Sequence, residues 1–185
     1  MTPLAESEIR AALSELAERL ERRRTHARLY IAGGAAMVLA YDADRATRDI
    51  DTAILDGYEA VMSIAAEMAR ERGWPSTWLN EQATPYMPKA EQRHGREVFE
   101  HPYLTVIAAS PEHMLAMKAR AARRTDISDA MRLMEITGIA DIDDIAALVR
   151  KVFPDEDLGR RQLDWLNAVI EESQTGSRAQ EQDRS

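Results

Sequence analysis

Two aspartates one residue apart, Asp49 and Asp51, open the segment DIDTAIL. In a strand, side chains alternate between faces, so both carboxylates project to one side with a short gap between them. Such a pair repels itself unless a cation lies between, and its hard oxygen donors suit Mg²⁺, which keeps coordination positions open for substrate phosphates. Upstream, the apolar run LYIA ends in Gly33-Gly34, and Ala35 to Tyr41 reads as a short helix. Glycines at such a turn let a phosphate approach the backbone closely, and the N–H groups opening the next helix face it. A phosphate-cradling turn and a metal-holding pair on adjacent strands suit a nucleoside triphosphate with Mg²⁺.

Neither signal decides the matter alone. A Gly-Gly pair also serves any tight turn, and an acid pair can simply open an exposed strand. A second Asp-x-Asp, Asp141 and Asp143 with Asp144 beside it, precedes the run IAALV, so those acids sit in the first turn of a helix and suit its dipole without a metal. A dinucleotide-binding turn fits less well. It needs alternating glycines and an acid that ends its strand, whereas here the glycines are adjacent and the acids begin the strand.

The elements that must position these residues are legible by period. Ile9, Leu13, Leu16 and Leu20 step by four, three and four, an amphipathic helix over 6–23 with Ser7 as N-cap. Strands follow at 29–32 and 49–55, then a helix from Tyr58 to Arg72 stopped by Gly73 and Pro75. Residues 74–95 read as loop with one short strand near Trp78, and VFEHPYLTVIAA as one or two strands interrupted at Pro102. Ser110, Pro111 and Glu112 open a helix, and further helices are expected at 126–136, 141–152 and 157–172. The fold class is α+β. The expected organisation is a core over 1–136 that includes the N-terminal helix, helices packed on it over 137–172, and a disordered tail over 173–185.

The run GGAAMVLAY, then Arg45, Thr47 and DID, resembles the signature of the nucleotidyltransferase superfamily, a Gly-Gly or Gly-Ser turn followed by an acid-x-acid strand. Within it the chain is similar to small bacterial nucleotidyltransferase-like proteins grouped with the AbiEii type of toxin. MKARAARRTDISD resembles that group's later motif through Lys118, Ala121, Arg124, Asp126 and Asp129. The resemblance spans Tyr30 to Ile136. It implies a small mixed sheet with flanking helices, and transfer of a nucleoside monophosphate from an NTP to an RNA end, such as a tRNA, or to a protein hydroxyl. In that scheme Gly33, Gly34, Arg45 and Thr47 bind the nucleotide, Asp49 and Asp51 bind Mg²⁺, Lys118 contacts phosphate, and Asp126 is a polar partner or general base. It also implies a cognate antitoxin or toxin as protein partner.

Many members of the superfamily carry a third carboxylate on a later strand. The strand LTVIAA has none, so Asp126, or Glu97 or Glu100, is expected to supply it. Without one, the alternative is an inert module that binds nucleotide and acts by engaging a partner protein.

Other residues carry less. His26, His94, His101 and His113 lack metal-ligand spacing, no serine sits in a nucleophile elbow, and Met114, Met117, Met131 and Met134 follow helical spacing as core filler. Trp74 and Trp78 either stack on a base or pin their loop. A net charge of -8 excludes a generally basic coat for nucleic acid, leaving two local clusters: Arg22–Arg24, suited to a helix end, and Lys118, Arg120, Arg123 and Arg124, suited to an RNA acceptor. No cysteine and no bilayer-length apolar segment occur in the 185 residues, so a cytoplasmic protein without a membrane partner is expected.

Overall fold

The stepped leucines of the N-terminal segment form α1 (Glu6–Arg22), with Ile9, Leu13, Leu16 and Leu20 all fully buried. Its N-cap is Ala5 rather than Ser7. Alanine has no capping oxygen, so Glu8 reaches back and its Oε2 accepts the Ala5 N–H at 3.1 Å, which is half of a capping box. The computed structural model describes residues 3–43, 45–86 and 95–182. His94, part of the loop expected over 74–95 and the last three residues of the expected tail lie outside them.

The chain separates into two compact units, Met1–Ser110 and Pro111–Ser185. Within the second unit, α4 (Pro111–Ala121) and α5 (Ile127–Thr137) pack with the later helices.

In the first unit, β1 (Ala27–Ala32), α2 (Gly33–Ala40), β2 (Ile50–Asp56), α3 (Tyr58–Arg72), β3 (Leu79–Asn80), β4 (Arg96–His101) and β5 (Leu104–Ala108) follow α1. The five strands form one mixed sheet in the order β3-β2-β1-β5-β4. β1 runs antiparallel to β2 and parallel to β5, β2 parallel to β3, and β4 antiparallel to β5. Pairing register places Leu29, Ile31, Ile50, Thr52, Val106 and Ala108 on one face, all fully buried, and Tyr30, Ala32, Asp51, Ala53 and Ile107 on the other. Only Arg28 of β1 is exposed, which is why LYIA reads as a continuous apolar run and not as an alternating one.

α1 and α3 are cross-linked by ion pairs. Arg19 meets Glu15 and Glu71, Arg72 meets Glu15, and Arg23 meets Glu67 at 2.6 Å. One member of the first arginine cluster is therefore committed to this helix pair, while Arg22 and Arg24 are exposed.

The second unit contains helices, with a single 3-10 turn at Arg124–Asp126 between α4 and α5. α6 (Ile142–Val152) buries Ile145, Leu148 and Val149, and α7 (Arg160–Gln182) buries Trp165, Leu166 and Val169. α7 continues through the segment expected to be disordered from 173. Gln is frequent there, a residue of good helix propensity, but Ser173, Thr175, Gly176 and Ser177 are not, so propensity does not explain the continuation. Among the described residues, no helix is long and apolar enough to cross a membrane.

Candidate functional site

β1 ends with Ala32 in extended conformation and the chain turns into α2 through Gly33 at φ +64°. An L side chain is strained in that region. A Cβ on Gly33 would also stand 2.6 Å from Asp51 Oδ2, so backbone angle and space both demand glycine. At Gly34 a Cβ would stand 2.5 Å from Thr47 Oγ1 and 3.8 Å from Arg45 Nη2. The structure thus gathers Gly33, Gly34, Arg45, Thr47 and Asp51 around one turn. α2 offers no capping side chain and no acid in its first turn, so nothing of its own side chains competes for its leading N–H groups.

Pairing across the sheet sets Asp51 opposite Ala32 on β1 and beside Asn80 on β3. Asp49 lies on the bend before β2, which begins at Ile50 and not at residue 49 as expected. Its position is governed by Thr47. Leu4 and Thr47 exchange two backbone hydrogen bonds, at 2.6 and 2.9 Å, and the Thr47 hydroxyl donates to the Asp49 carbonyl at 3.1 Å. Leu4 and Thr47 are both buried. This pinning by the N-terminal segment was not legible in the sequence, because a single isolated bridge has no periodic signature.

α2 is held from behind. The Tyr41 hydroxyl donates to the Ala109 carbonyl, and Arg96 Nη1 donates to the Ala40 carbonyl at 2.8 Å. The helix is apolar all round, with Ala35 to Ala40 buried, so it cannot rotate to present a polar face and its N-terminus stays fixed beside Asp51.

The carboxylates of Glu97 and Glu100 cannot complete a metal site with Asp51. They lie on β4, three strand spacings from β2 and so roughly 14 Å across the sheet. On the β1 side the row of Asp51 runs through Ala32 and then Ala109, the latter donating its N–H to the Ile31 carbonyl at 2.9 Å. Among the described residues, no three His, Cys, Asp or Glu side chains group so as to hold a metal ion. Two carboxylates still match the oxygen donor set of Mg²⁺, which commonly uses one or two with substrate phosphates.

In the second unit, Lys118 and Asp126 are brought together, with Nζ to Oδ1 at 3.0 Å. Asp129 completes a trio, its Oδ2 at 2.7 Å from the same Nζ. Asp129 belongs to the segment MKARAARRTDISD, where the resemblance assigns it no role of its own. Its spacing of three from Asp126 across a helix start was the available signal. Lys118 and Asp129 are buried. The ammonium therefore serves two carboxylates, the expected polar partner Asp126 and also Asp129, and the three groups together carry a formal excess of negative charge.

The second basic cluster does not form one patch. Lys118 is buried, Arg120 pairs with Glu156 and lies over the Phe153 ring, and only Arg123 and Arg124 are exposed. Trp78 is buried and donates to the Ala65 carbonyl at 2.9 Å, with Trp74 edge-on at 5.1 Å, so Trp78 pins its loop. His26 stacks on Tyr103, the Tyr103 N–H donates to His101 Nδ1, and the buried His113 meets Phe153. Met114 and Met134 are buried.

The family described as "Nucleotidyltransferase of unknown function (DUF6036)" matches residues 9–171, and the chain belongs to it. A crystal structure of an antigenic nucleotidyltransferase-like protein from Paracoccidioides brasiliensis is similar at 17% identity and a TM-score of 0.49, over 92% of this chain and 95% of that one. No curated protein matches. Membership in the AbiEii toxin type is not among these findings.

Proposed function

We propose that this member of the nucleotidyltransferases moves a nucleoside monophosphate from an NTP to a hydroxyl acceptor, with Mg²⁺ held by Asp49 and Asp51. The observation that carries the reading is the close approach of Asp51 Oδ2 to Gly33, which sets a carboxylate against a turn shaped to admit phosphate. Arg45 and Thr47 flank the same turn at Gly34 and are assigned to the triphosphate. When bound, Mg²⁺ supplies positive charge against the phosphate oxygens. The acceptor oxygen forms a bond to the α-phosphorus, the bridging bond to the β-phosphate breaks, and pyrophosphate leaves with its charge. The acceptor proton passes to a carboxylate, for which Asp126 is the assigned group, and Lys118 is assigned to phosphate. Lys118 already serves Asp126 and Asp129, so two of its three N–H donors are engaged.

The acceptor is an RNA end or a protein hydroxyl, and the setting a bacterial toxin–antitoxin pair with a cognate partner protein. A second reading is favoured by one observation, that no third carboxylate joins Asp49 and Asp51 among the described residues. In it, the chain binds nucleotide without turnover and acts through a protein partner.

The deciding experiment incubates the full chain with α-labelled NTPs, Mg²⁺ and total tRNA, beside Asp49→Ala/Asp51→Ala. Label on RNA or protein that the double variant loses, and that EDTA abolishes, supports transfer. Nucleotide binding by the wild type without any label transfer overturns it in favour of the inert module.

A further inference from the structure

We propose that α7 is a positioning element for the Lys118, Asp126 and Asp129 trio, and that Trp165 is its central positioning residue. The assignment of a catalytic use to that trio rests on the function proposed above, whereas the positional claim stands on geometry within the second unit.

α4 carries Lys118 and ends at Ala121, one turn later. The next residue, Ala122, has φ +45°, a left-handed conformation that a non-glycine residue adopts only when its surroundings impose it. The last carbonyls of a helix lack partners within it. Here α7 provides partners for two of them and for one carbonyl just past the helix end. Gln162 Nε2 donates to the Arg120 carbonyl at 3.3 Å, Arg161 Nη2 to that of Ala121 at 3.0 Å, and Trp165 Nε1 to that of Arg123 at 3.0 Å. The three donors come from the first two turns of α7, with residues 161 and 165 one turn apart.

Trp165 has the most direct route to the trio. The Arg123 carbonyl accepts both the indole N–H and the backbone N–H of Asp126, the latter at 3.0 Å. Asp126 in turn meets Lys118. The buried indole therefore holds the carbonyl that also accepts the Asp126 N–H. A side chain that on sequence grounds is only part of an apolar stripe has a second task at its polar edge.

The test is Trp165→Phe, which keeps the aromatic bulk and removes the N–H. Asp126 still donates to the Arg123 carbonyl, so the acceptor is not orphaned and the fold is retained. Amine acetylation followed by mass spectrometry reads Lys118 against the exposed Lys151 as internal reference. The expected result is a rise of about tenfold in Lys118 acetylation with Lys151 unchanged. With tRNA and labelled NTPs, kcat is expected to fall about tenfold while KM for NTP stays within about twofold. Should Trp165→Phe lose cooperative unfolding, Arg161→Ala/Gln162→Ala removes the two outer donors and is read the same way. Unchanged Lys118 acetylation in the folded variants overturns the proposal, as does raised acetylation with undiminished transfer by an active wild type. A wild type that transfers no label while Trp165→Phe still exposes Lys118 sinks the enzymatic reading alone and leaves the positional role of α7 supported.

Discussion

The tripeptide Asp-Ile-Asp occurs twice in this chain, at 49–51 and at 141–143, and the two copies are built into different chemistry. At the second, Asp141 is the N-cap of α6, its Oδ1 accepting the Asp144 N–H at 2.9 Å, and the acids are spent on a helix end. At the first, Asp49 sits on a bend pinned through Thr47 and Leu4, while Asp51 enters a strand and points at a glycine. The central isoleucines differ as well: Ile50 is fully buried in the sheet, and Ile142 is only half-buried. Identical spacing therefore carries no fixed function. What distinguishes the copies is the helix end beside them: Asp141 caps α6 with its own carboxylate, whereas α2 has no side-chain cap.

Exchanging acids for amides should separate the copies most sharply. Asp51→Asn is expected to lower label transfer by about 10³-fold, while Asp143→Asn leaves it unchanged. Equal losses in both variants would show that the comparison is wrong. A third pair of acids, Asp126 and Asp129, tests whether burial alone makes carboxylates costly. Lys118→Met removes the cation that both share and should cost about 3–5 kcal/mol in urea unfolding of the second unit. A cost below about 1 kcal/mol would mean that water replaces the lysine.

Each Asp-Ile-Asp is preceded by a glycine at positive φ, and these form the next contrast. Gly33→Ala meets both strain and Asp51, so about 2–3 kcal/mol and loss of NTP binding are expected. Gly138, at φ +70°, has no atom within 4 Å of an added Cβ, so Gly138→Ala should cost only about 1 kcal/mol and spare NTP binding. Thermal melts and nucleotide titrations of the two variants decide this.

The smallest effects concern the cap. Asp141→Ala should lower Tm by about 2–4 °C without touching transfer. The Asp144 amide holds Asp141 below the usual carboxylate range, whereas the hydrogen bond and charge of Asp141 raise Asp144. Stability from Asp141 is therefore present above about pH 4 and lost as pH falls through its lowered folded value, and that from Asp144 is present below about pH 4 and lost as pH rises through its raised value. Asp141→Asn keeps a capping oxygen and removes the charge. The stability of the second unit should become flatter with pH between about 3 and 5, as a denaturation series at fixed ionic strength would show.

The helix and strand pattern was legible because apolar steps of three and four, and runs such as LYIA, report burial directly. Gly73 and Gly138, each at positive φ, closed the helices they were expected to close. The partners of α4 and α5 were not legible, since a motif's extent says nothing of which helices share a surface, here α6 and α7. Nor was the loss of the second basic cluster. Spacing places arginines along a chain, whereas Glu156 and Phe153, which engage Arg120, come from more than thirty positions away.

The amino-acid sequence by itself determined the α+β class, the glycines at the β1–α2 turn, and the order of turn, short helix and acid pair, because these depend on local angles and periodicity. Tertiary structure alone decided that Asp51 abuts Gly33, that Glu97 and Glu100 stand across the sheet, and that Lys118 serves two carboxylates. Each of those depends on strand order or on contacts between separate helices, which a one-dimensional pattern does not contain.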